Sequence, residues 1–179
     1  MPSIKQSTSI QGLAIVELDI FEDDRGRFSE IFRKEWFPQR DWEVIQSNRS
    51  ESEAGVLRGL HYHHKQVDYW HVTHGAIRAG LVDLRKHSQT YGTSLTLDLD
   101  HNKRIGLFIP VGVAHGFLSL TRATLIYIVD RYYDGSDEFG VAWNDPEINL
   151  EWGVKSPILS NRDRQNPRWK DISDGDLPG

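Results

Sequence analysis

The chain has 179 residues, of which 38% are hydrophobic and 26% are charged, a profile typical of one globular domain with its own core. Its formal charge of -5 argues against general nucleic-acid binding, although a local basic pocket remains compatible with it. Because cysteine is absent, the chain has no disulfide framework, no thiol nucleophile and no zinc–thiolate site.

The opening stretch MPSIKQSTSIQG is polar, so we expect neither a secretory signal nor a membrane anchor there. No run in the sequence approaches the ~20 apolar residues of a spanning helix. The cytoplasm is therefore the expected location. One domain is predicted over residues 1–179, with a tail from about residue 171 whose composition is compatible with disorder.

Short β-rich runs follow one another along the chain, separated by clusters of Gly, Asp, Asn and Pro. The first is LAIVELDIF, and a short helix is expected in FRKEWFPQRD before the strand EVIQSNRS. The later strands are VLRGLHYH, DYWHVTHG, AIRAGLVDLR, TSLTLDLD, RIGLFIPVGVAHGFLSL and ATLIYIVDRYY. Many short strands at this spacing predict an all-β antiparallel barrel or sandwich with short peripheral helices.

Two histidines lie two residues apart in RGLHYHHKQVD. The two-residue period of a strand places His61 and His63 on one face, with Tyr62 and His64 on the other. Histidines at this spacing can chelate a metal ion, supply a general base or form ordinary polar lining. The residues alone leave all three interpretations open.

Further histidine and tyrosine side chains occur on later strands. His115 follows a turn of proline and glycine in IPVGVAHGF, so it either joins a pocket with the first two histidines or is incidental to the turn. In TLIYIVDRYYD, strand alternation puts Tyr127, Val129, Arg131 and Tyr133 on one face. Such phenols are either core aromatics or proton-transfer groups in a pocket that lowers the phenol pKa.

A polar set suits a phosphate or a nucleotide, because arginine and amide side chains form directional and forked hydrogen bonds. Its members are Arg25, Gln46, Asn48 and Arg58. Arg25 lies in FEDDRGRF, which is also compatible with a plain exposed loop. If one strand face lines the barrel interior, a barrel of about eight strands has room for one small ligand there.

Seven segments occur in a fixed order: FEDDRGRFSEIF, QSNRSES, GVLRGLHY, VDLRKHSQTYG, IPVGVAHGFLSL, WNDPEINLEW and PILSNRD. Together they closely resemble the dTDP-4-dehydrorhamnose 3,5-epimerase family over roughly residues 10–170. The resemblance implies a cupin-type jelly-roll β-barrel, usually a homodimer, without a cofactor. It also implies a substrate of the nucleotide-linked 4-keto-6-deoxyhexose class, such as dTDP-4-dehydro-6-deoxyglucose.

The chemistry that the resemblance implies is proton transfer beside a ketone. A base removes a proton from C3 or C5 to leave an enolate, and an acid returns a proton from the other face. The resemblance places the base at His61, its carboxylate partner at Asp163 and the acid at Tyr127. Substrate-binding positions, some of them reaching in from the partner subunit, are placed at Arg25, Phe28, Glu30, Gln46, Asn48, Arg58, His63, Asp68, His115 and Tyr133.

The match departs from the family pattern at two positions. Where the family has glutamine and then a lysine that helps to hold the keto or enolate oxygen, this chain has His63 and Asp68. Two like charges at ~4 Å oppose each other by about 4 kcal/mol at an intermediate dielectric. Epimerisation at both centres is therefore in doubt, and a single-centre epimerase or one for a variant sugar is also compatible with the sequence.

The same two residues create a similarity to the metal-binding pattern of cupins. Its two parts are matched by Gly55, His61, His63, Asp68 and Gly75, and by Pro110, Gly112 and His115. The alternative prediction is thus a metal-dependent cupin isomerase or oxygenase that holds Zn²⁺, Mn²⁺, Fe²⁺ or Ni²⁺. In this alternative His61 would be a metal ligand and could not also act as a free base. Asp163 would then orient the imidazole of His61. A non-catalytic sugar-nucleotide binder is a third alternative.

Overall fold

The computed structural model describes residues 2–179; Met1, which the predicted domain includes, lies outside the described residues. The described strands are β1 Ser3–Gln6, β2 Ala14–Glu17, β3 Phe21–Asp23, β4 Gly26–Phe28, β5 Gln46–Ser52, β6 Leu57–Tyr62, β7 Asp68–His74, β8 Ala76–Asp83, β9 Ser94–Asp100, β10 Ile105–Ile109, β11 Val113–Ser119, β12 Ala123–Val129 and β13 Phe139–Gly140. One short helix, α1, spans Asn161–Gln165, and 3-10 turns span Lys34–Trp36, Gly135–Asp137 and Trp169–Asp171.

Two large antiparallel sheets form the body of the protein. One has the order β1-β2-β10-β7-β12-β5, and the other has the order β13-β6-β11-β8-β9. A separate hairpin pairs β3 with β4. This architecture confirms the prediction of an all-β protein with short peripheral helices.

The core lies between the two sheets, because strand alternation turns one face of each toward the other. Trp70, Leu81, Phe117 and Leu125 belong to this inner cluster and are each at most 5% exposed. Full burial of an apolar side chain of this size stabilises the fold by about 1.5–3 kcal/mol. The inner cluster occupies only part of the space between the sheets, and polar side chains line the rest.

The outer faces of both sheets are covered as well. Outside the six-stranded sheet, Phe37 stacks on Phe108 with ring centroids 4.4 Å apart, beside the buried Trp42 and Tyr69. This covering segment contains the 3-10 turn Lys34–Trp36, found where the sequence predicted a short helix. Outside the five-stranded sheet lies a third cluster that includes Trp152.

The tail of residues 171–179 lies against the barrel in the structure. The backbone N–H of Lys86 donates to the carbonyl of Pro178 at 3.0 Å, and Nε2 of His64 lies 3.0 Å from the carbonyl of Asp176. Leu177 packs against the third cluster. Among residues 2–179, no helix has the length and apolar character needed to cross a bilayer.

Candidate active site

A cavity of about 550 Å³ opens between the two sheets, within the size range of small-ligand pockets. Strands β5, β7 and β12 of the six-stranded sheet and strands β6 and β11 of the five-stranded sheet provide most of its wall. The structure brings these predicted site residues together around it: Gln46, Asn48, Arg58, His61, His63, Asp68, His115, Tyr127, Tyr133 and Asp163.

Strand register explains why these distant residues meet. In the five-stranded sheet His61 lies opposite His115, on neighbouring strands β6 and β11. In the six-stranded sheet Tyr127 on β12 lies opposite Asn48 on β5 and Trp70 on β7. The inner face of each sheet therefore presents its polar row to the same cavity.

Gly59 sets the position of His61 by allowing a close approach between β6 and β11. Its φ is +110°, and a Cβ at this position would lie 2.7 Å from both the Cα of Gly116 and the carbonyl oxygen of His115. The pairing of the two strands is irregular at this point, where the register shifts between His115 and Phe117. A glycine here is thus required for His61 to lie beside His115.

His61 and Asp163 form the closest polar contact of the cavity. Nε2 of His61 donates to Oδ1 of Asp163 at 2.7 Å, and the Asp163 side chain is only 5% exposed. Ser160 caps α1, since its hydroxyl oxygen accepts from the backbone N–H of Asp163 at 3.0 Å. Because Nε2–H donates to the carboxylate, the other ring nitrogen of His61 carries the lone pair.

Asp163 is anionic at neutral pH. Burial acts to raise the pKa of its carboxyl, but hydrogen bonds from His61, Ser160 and the Gly59 N–H outweigh burial, so the pKa lies below its usual value. An anion at this distance stabilises a protonated imidazole, as in other His–Asp pairs. The pair is arranged to let His61 accept a proton.

Tyr127 is half-buried in the same cavity wall. Burial raises the pKa of its phenol above the ordinary 10.0, and the nearby carboxylates of Asp68 and Glu138 raise it further, while Arg58 acts in the opposite direction. The lowered phenol pKa considered from the sequence is therefore wrong for Tyr127, because burial and, after it, the nearby carboxylates both oppose the phenolate. A raised pKa keeps the phenol protonated and suits it to donate a proton.

The Tyr127 phenol is expected to ionise above pH 10. Tyr127→Phe should remove one phenol from the tyrosinate absorbance titration. The midpoint of its difference from wild type should lie above pH 10, because burial and nearby carboxylates oppose the phenolate. Tyr132→Phe, at an exposed neighbouring phenol, is the matched control. A midpoint below pH 10 for the phenol that is lost in Tyr127→Phe would contradict the buried, negatively charged environment assigned to Tyr127.

Three residues of the predicted four-ligand metal set lie together. Nitrogen or oxygen atoms of His63, Asp68 and His115 are all within 4.8 Å of one another. His61 is not part of this group, and its Nε2 is hydrogen-bonded to Asp163. The structure thus groups three of the four predicted ligands, and the role of His61 as a fourth ligand stays a prediction.

His115 is neutral at physiological pH. Burial lowers its pKa to about 4, although the charge of Asp68 acts to raise it and His63 acts to lower it. Its Nδ1 lies 2.9 Å from the carbonyl of Val113, which only accepts, so Nδ1 carries the proton. The Nε2 lone pair of His115 is free for a ligand.

The polar residues predicted for the nucleotide divide into two places. Gln46 donates to Asn48 at 2.8 Å and accepts from the backbone N–H of Tyr133 at 3.2 Å, and all three line the cavity. Arg58, exposed at the cavity wall, donates from Nε to the Ser52 hydroxyl at 3.0 Å. These side chains form one polar rim.

Arg25, Phe28 and Glu30 do not line this cavity. Arg25 and Phe28 lie in the exposed β3–β4 hairpin, and Glu30 follows it. Arg25 is paired with Asp23, and Phe28 is 65% exposed beside Phe21, which is 60% exposed. These three predicted nucleotide-binding residues therefore do not contribute to the cavity of their own chain.

The structure also corrects one predicted strand face and adds lining residues. Strand β12 ends at Val129, so Arg131 is exposed and Tyr133 reaches the cavity from a loop. Trp70 and Glu138 line the cavity although neither was predicted as a site residue. Strand alternation could have identified Trp70, because it lies two residues after Asp68 on β7 and so faces the same side. No sequence pattern could have identified Glu138, because it comes from the irregular segment before β13.

Comparisons with known proteins agree over nearly the whole chain. A family profile described as dTDP-4-dehydrorhamnose 3,5-epimerase matches residues 7–171. A protein of that name from Methanothermobacter thermautotrophicus is 38% identical over 173 residues, covering 92% of this chain and 92% of its own.

Two solved structures are similar to the whole fold. The first is a dTDP-6-deoxy-D-glucose-3,5-epimerase from Legionella pneumophila in complex with dTDP-4-keto-L-rhamnose. It has a TM-score of 0.91 at 31% identity, and the match covers 99% of this chain and 98% of the other. The second is ChmJ, a 3'-monoepimerase from Streptomyces bikiniensis in complex with dTDP-quinovose. It has a TM-score of 0.90 at 34% identity, and the match covers 97% of this chain and 92% of the other.

The barrel and its polar cavity define a cupin-type jelly-roll protein, which confirms the predicted fold. Relatives that are more than 30% identical to this chain align with it over nearly the full length of both proteins. The chain belongs to the dTDP-4-dehydrorhamnose 3,5-epimerase family, as its sequence motifs predicted.

Proposed function

We propose that this protein is an epimerase of a nucleotide-linked 4-keto-6-deoxyhexose that inverts C3, C5 or both. The substrate class follows from the family, whose members include structures bound to dTDP-4-keto-L-rhamnose and dTDP-quinovose. The observation that carries the proposal is the His61–Asp163 hydrogen bond in the cavity that Tyr127 also lines.

In the proposed reaction the C4 ketone acidifies the neighbouring C–H bonds. His61 takes a proton from C3 or C5 through its free ring nitrogen, and the bonding electron pair moves onto the C4 oxygen as an enolate. Tyr127 then donates its phenolic proton to the same carbon from the opposite face, which inverts the centre. Proton exchange with water afterwards restores neutral His61 and the Tyr127 phenol.

Asp163 supports this reaction by holding the imidazole and by stabilising the imidazolium that forms. Its lowered carboxyl pKa keeps the carboxylate charged while His61 gains a proton. Asp68 is less easily accommodated, since its buried carboxylate lies in the cavity where the enolate develops negative charge. The C4 oxygen therefore needs an electrophile other than residue 68.

Product analysis tests the proposed activity directly. Incubation with dTDP-4-keto-6-deoxyglucose should change the ring-proton coupling constants in the NMR spectrum, as inversion at C3 or C5 requires. Thermal stabilisation by dTDP without any change of the sugar would instead support the non-catalytic binder. An unchanged spectrum with no stabilisation by dTDP would contradict both.

Arg58 is proposed to bind the substrate's phosphates. Arg58→Gln should weaken dTDP binding about 10- to 100-fold in calorimetric titration, because a charge-assisted hydrogen bond contributes about 1.5–3 kcal/mol. Arg49→Gln is the matched control, since Arg49 is an exposed arginine of β5 paired with Glu51. Equal affinities of the Arg58 variant and wild type would rule out this role.

We also infer that the protein is a homodimer in which the β3–β4 hairpin reaches the partner's cavity. Arg25, Phe28 and Glu30 are absent from the wall of their own cavity, and the paired rings of Phe21 and Phe28 are left exposed. A site in a second copy would account for their predicted role in nucleotide binding. The cytoplasmic location stays a prediction.

A further inference from the structure

Three side chains from separate elements converge in the cavity beside the proposed base. His63 follows β6, Asp68 begins β7 and His115 lies on β11, so the group joins both sheets. Asp68 and His115 are 4% and 6% exposed. We name His63, Asp68 and His115 the triad.

Both triad histidines are held in the same tautomer by backbone carbonyls. Nδ1 of His63 lies 2.6 Å from the carbonyl of Asp137, and Nδ1 of His115 lies 2.9 Å from that of Val113. A carbonyl only accepts, so each Nδ1 carries hydrogen and each Nε2 keeps its lone pair. Metal-binding histidines are commonly oriented by a hydrogen bond of this kind.

Asp68 is fixed between neutral donors. Its Oδ1 accepts from Nε2 of Gln66 at 3.0 Å, and its Oδ2 accepts from Nε1 of Trp70 at 3.0 Å. Within residues 2–179, neither lysine nor arginine comes within ion-pair distance of this carboxylate. Burying a carboxylate without a cation is unfavourable, so the site has a place for positive charge.

The spacing between His115 and Asp68 suits an ion better than a direct contact. Nε2 of His115 and Oδ2 of Asp68 are 3.7 Å apart, too far for a good hydrogen bond. Two ligand atoms that each bind one Zn²⁺ at about 2.1 Å lie about 3 to 4 Å apart. Two histidines and one carboxylate are a frequent ligand set for divalent transition metals with open positions.

We propose that the triad binds one divalent transition-metal ion, with open coordination positions facing the sugar site. This inference deepens the proposed function, on which its catalytic part rests: the ion would polarise the C4 ketone and stabilise the enolate oxygen. The described cavity wall contains no lysine, and its two arginines already contact Ser52 and Glu138. His61 remains the base, because it is paired with Asp163 and is not part of the triad.

Metal binding is tested on full-length protein that is purified without nickel-affinity resin and then treated with a chelator to remove bound metal. Calorimetric titration with zinc sulfate should give one ion per chain. Asp68→Asn and His63→Gln should each weaken binding at least 100-fold, since each removes one ligand. His61→Asn, the matched control, should still bind one ion with wild-type affinity.

A wild-type stoichiometry near zero, or equal affinity in wild type and both triad variants, would overturn the site. Loss of binding in His61→Asn would replace the triad by the four-ligand set. Thermal melts identify any variant that fails to fold, and the half-exposed His63 position provides the second variant if Asp68→Asn does so. Because binding is measured without substrate, its failure is distinguishable from failure of the epimerase proposal.

The catalytic part has its own readout. Stripped protein and protein reloaded with zinc or manganese are compared for solvent deuterium uptake into the ketosugar, and the reloaded protein is expected to be at least 10-fold faster. Metal binding without any change in this rate would overturn the electrophile role.

Discussion

His61→Asn is expected to slow deuterium uptake into the ketosugar by about 10²- to 10⁴-fold, the usual contribution of a general base. The reason is local: the imidazole of His61 is hydrogen-bonded to the buried carboxylate of Asp163 at 2.7 Å, and it lines the same cavity as the proposed proton donor. Asparagine keeps a polar side chain of similar reach but offers no basic nitrogen. Binding of dTDP should change less than twofold, because the rim residues are untouched.

The matched control is His64→Asn. His64 lies on the outer face of the same segment, where its ring contacts Phe139 and its Nε2 contacts the carbonyl of Asp176. It should exchange deuterium at the wild-type rate. An exchange rate in His61→Asn within threefold of wild type, with dTDP affinity retained, would show that another group is the base.

Tyr127→Phe should separate proton exchange from inversion. Without the phenol, the proton taken by His61 can return only to the face it left, after exchange with solvent. We therefore expect inverted product to form about 10²- to 10⁴-fold more slowly, while deuterium uptake persists with retention. The ratio of uptake to inversion, read from one NMR time course, is the measurement.

Tyr132→Phe serves as the control, because Tyr132 is 70% exposed and is not part of the cavity wall. It should leave the ratio of uptake to inversion unchanged. If uptake and inversion fall together in Tyr127→Phe, Tyr127 positions the sugar instead of donating the proton. If neither falls, the acid is a different residue.

The strands were predictable because alternation and turn residues are local properties. The period of two placed His61 and His63 toward one cavity, and the glycine- and proline-rich turn before His115 delivered it to the neighbouring strand, where it lies opposite His61. The pairing of His61 with Asp163 was available only from the family resemblance, because 102 residues separate them. Composition and periodicity contain no information on such a contact.

Other parts of the site depended on tertiary packing. His61 pairs with Asp163 and lies outside the triad, and the regular spacing of histidines cannot indicate either fact. Glu138 enters the cavity from an irregular segment, held there by Arg162, so no strand pattern marks it. The end of β12 at Val129 likewise exposes Arg131, which alternation alone had placed with Tyr127.

Proton transfer at a carbon beside the ketone is the central claim, and solvent exchange measures it most directly. Wild-type protein is incubated with dTDP-4-keto-6-deoxyglucose in deuterium oxide, and the ring positions are followed by NMR. We predict deuterium at C3, C5 or both, at a rate well above that of buffer alone. Absence of deuterium at both positions over hours, with divalent metal present and with it removed, would contradict the account.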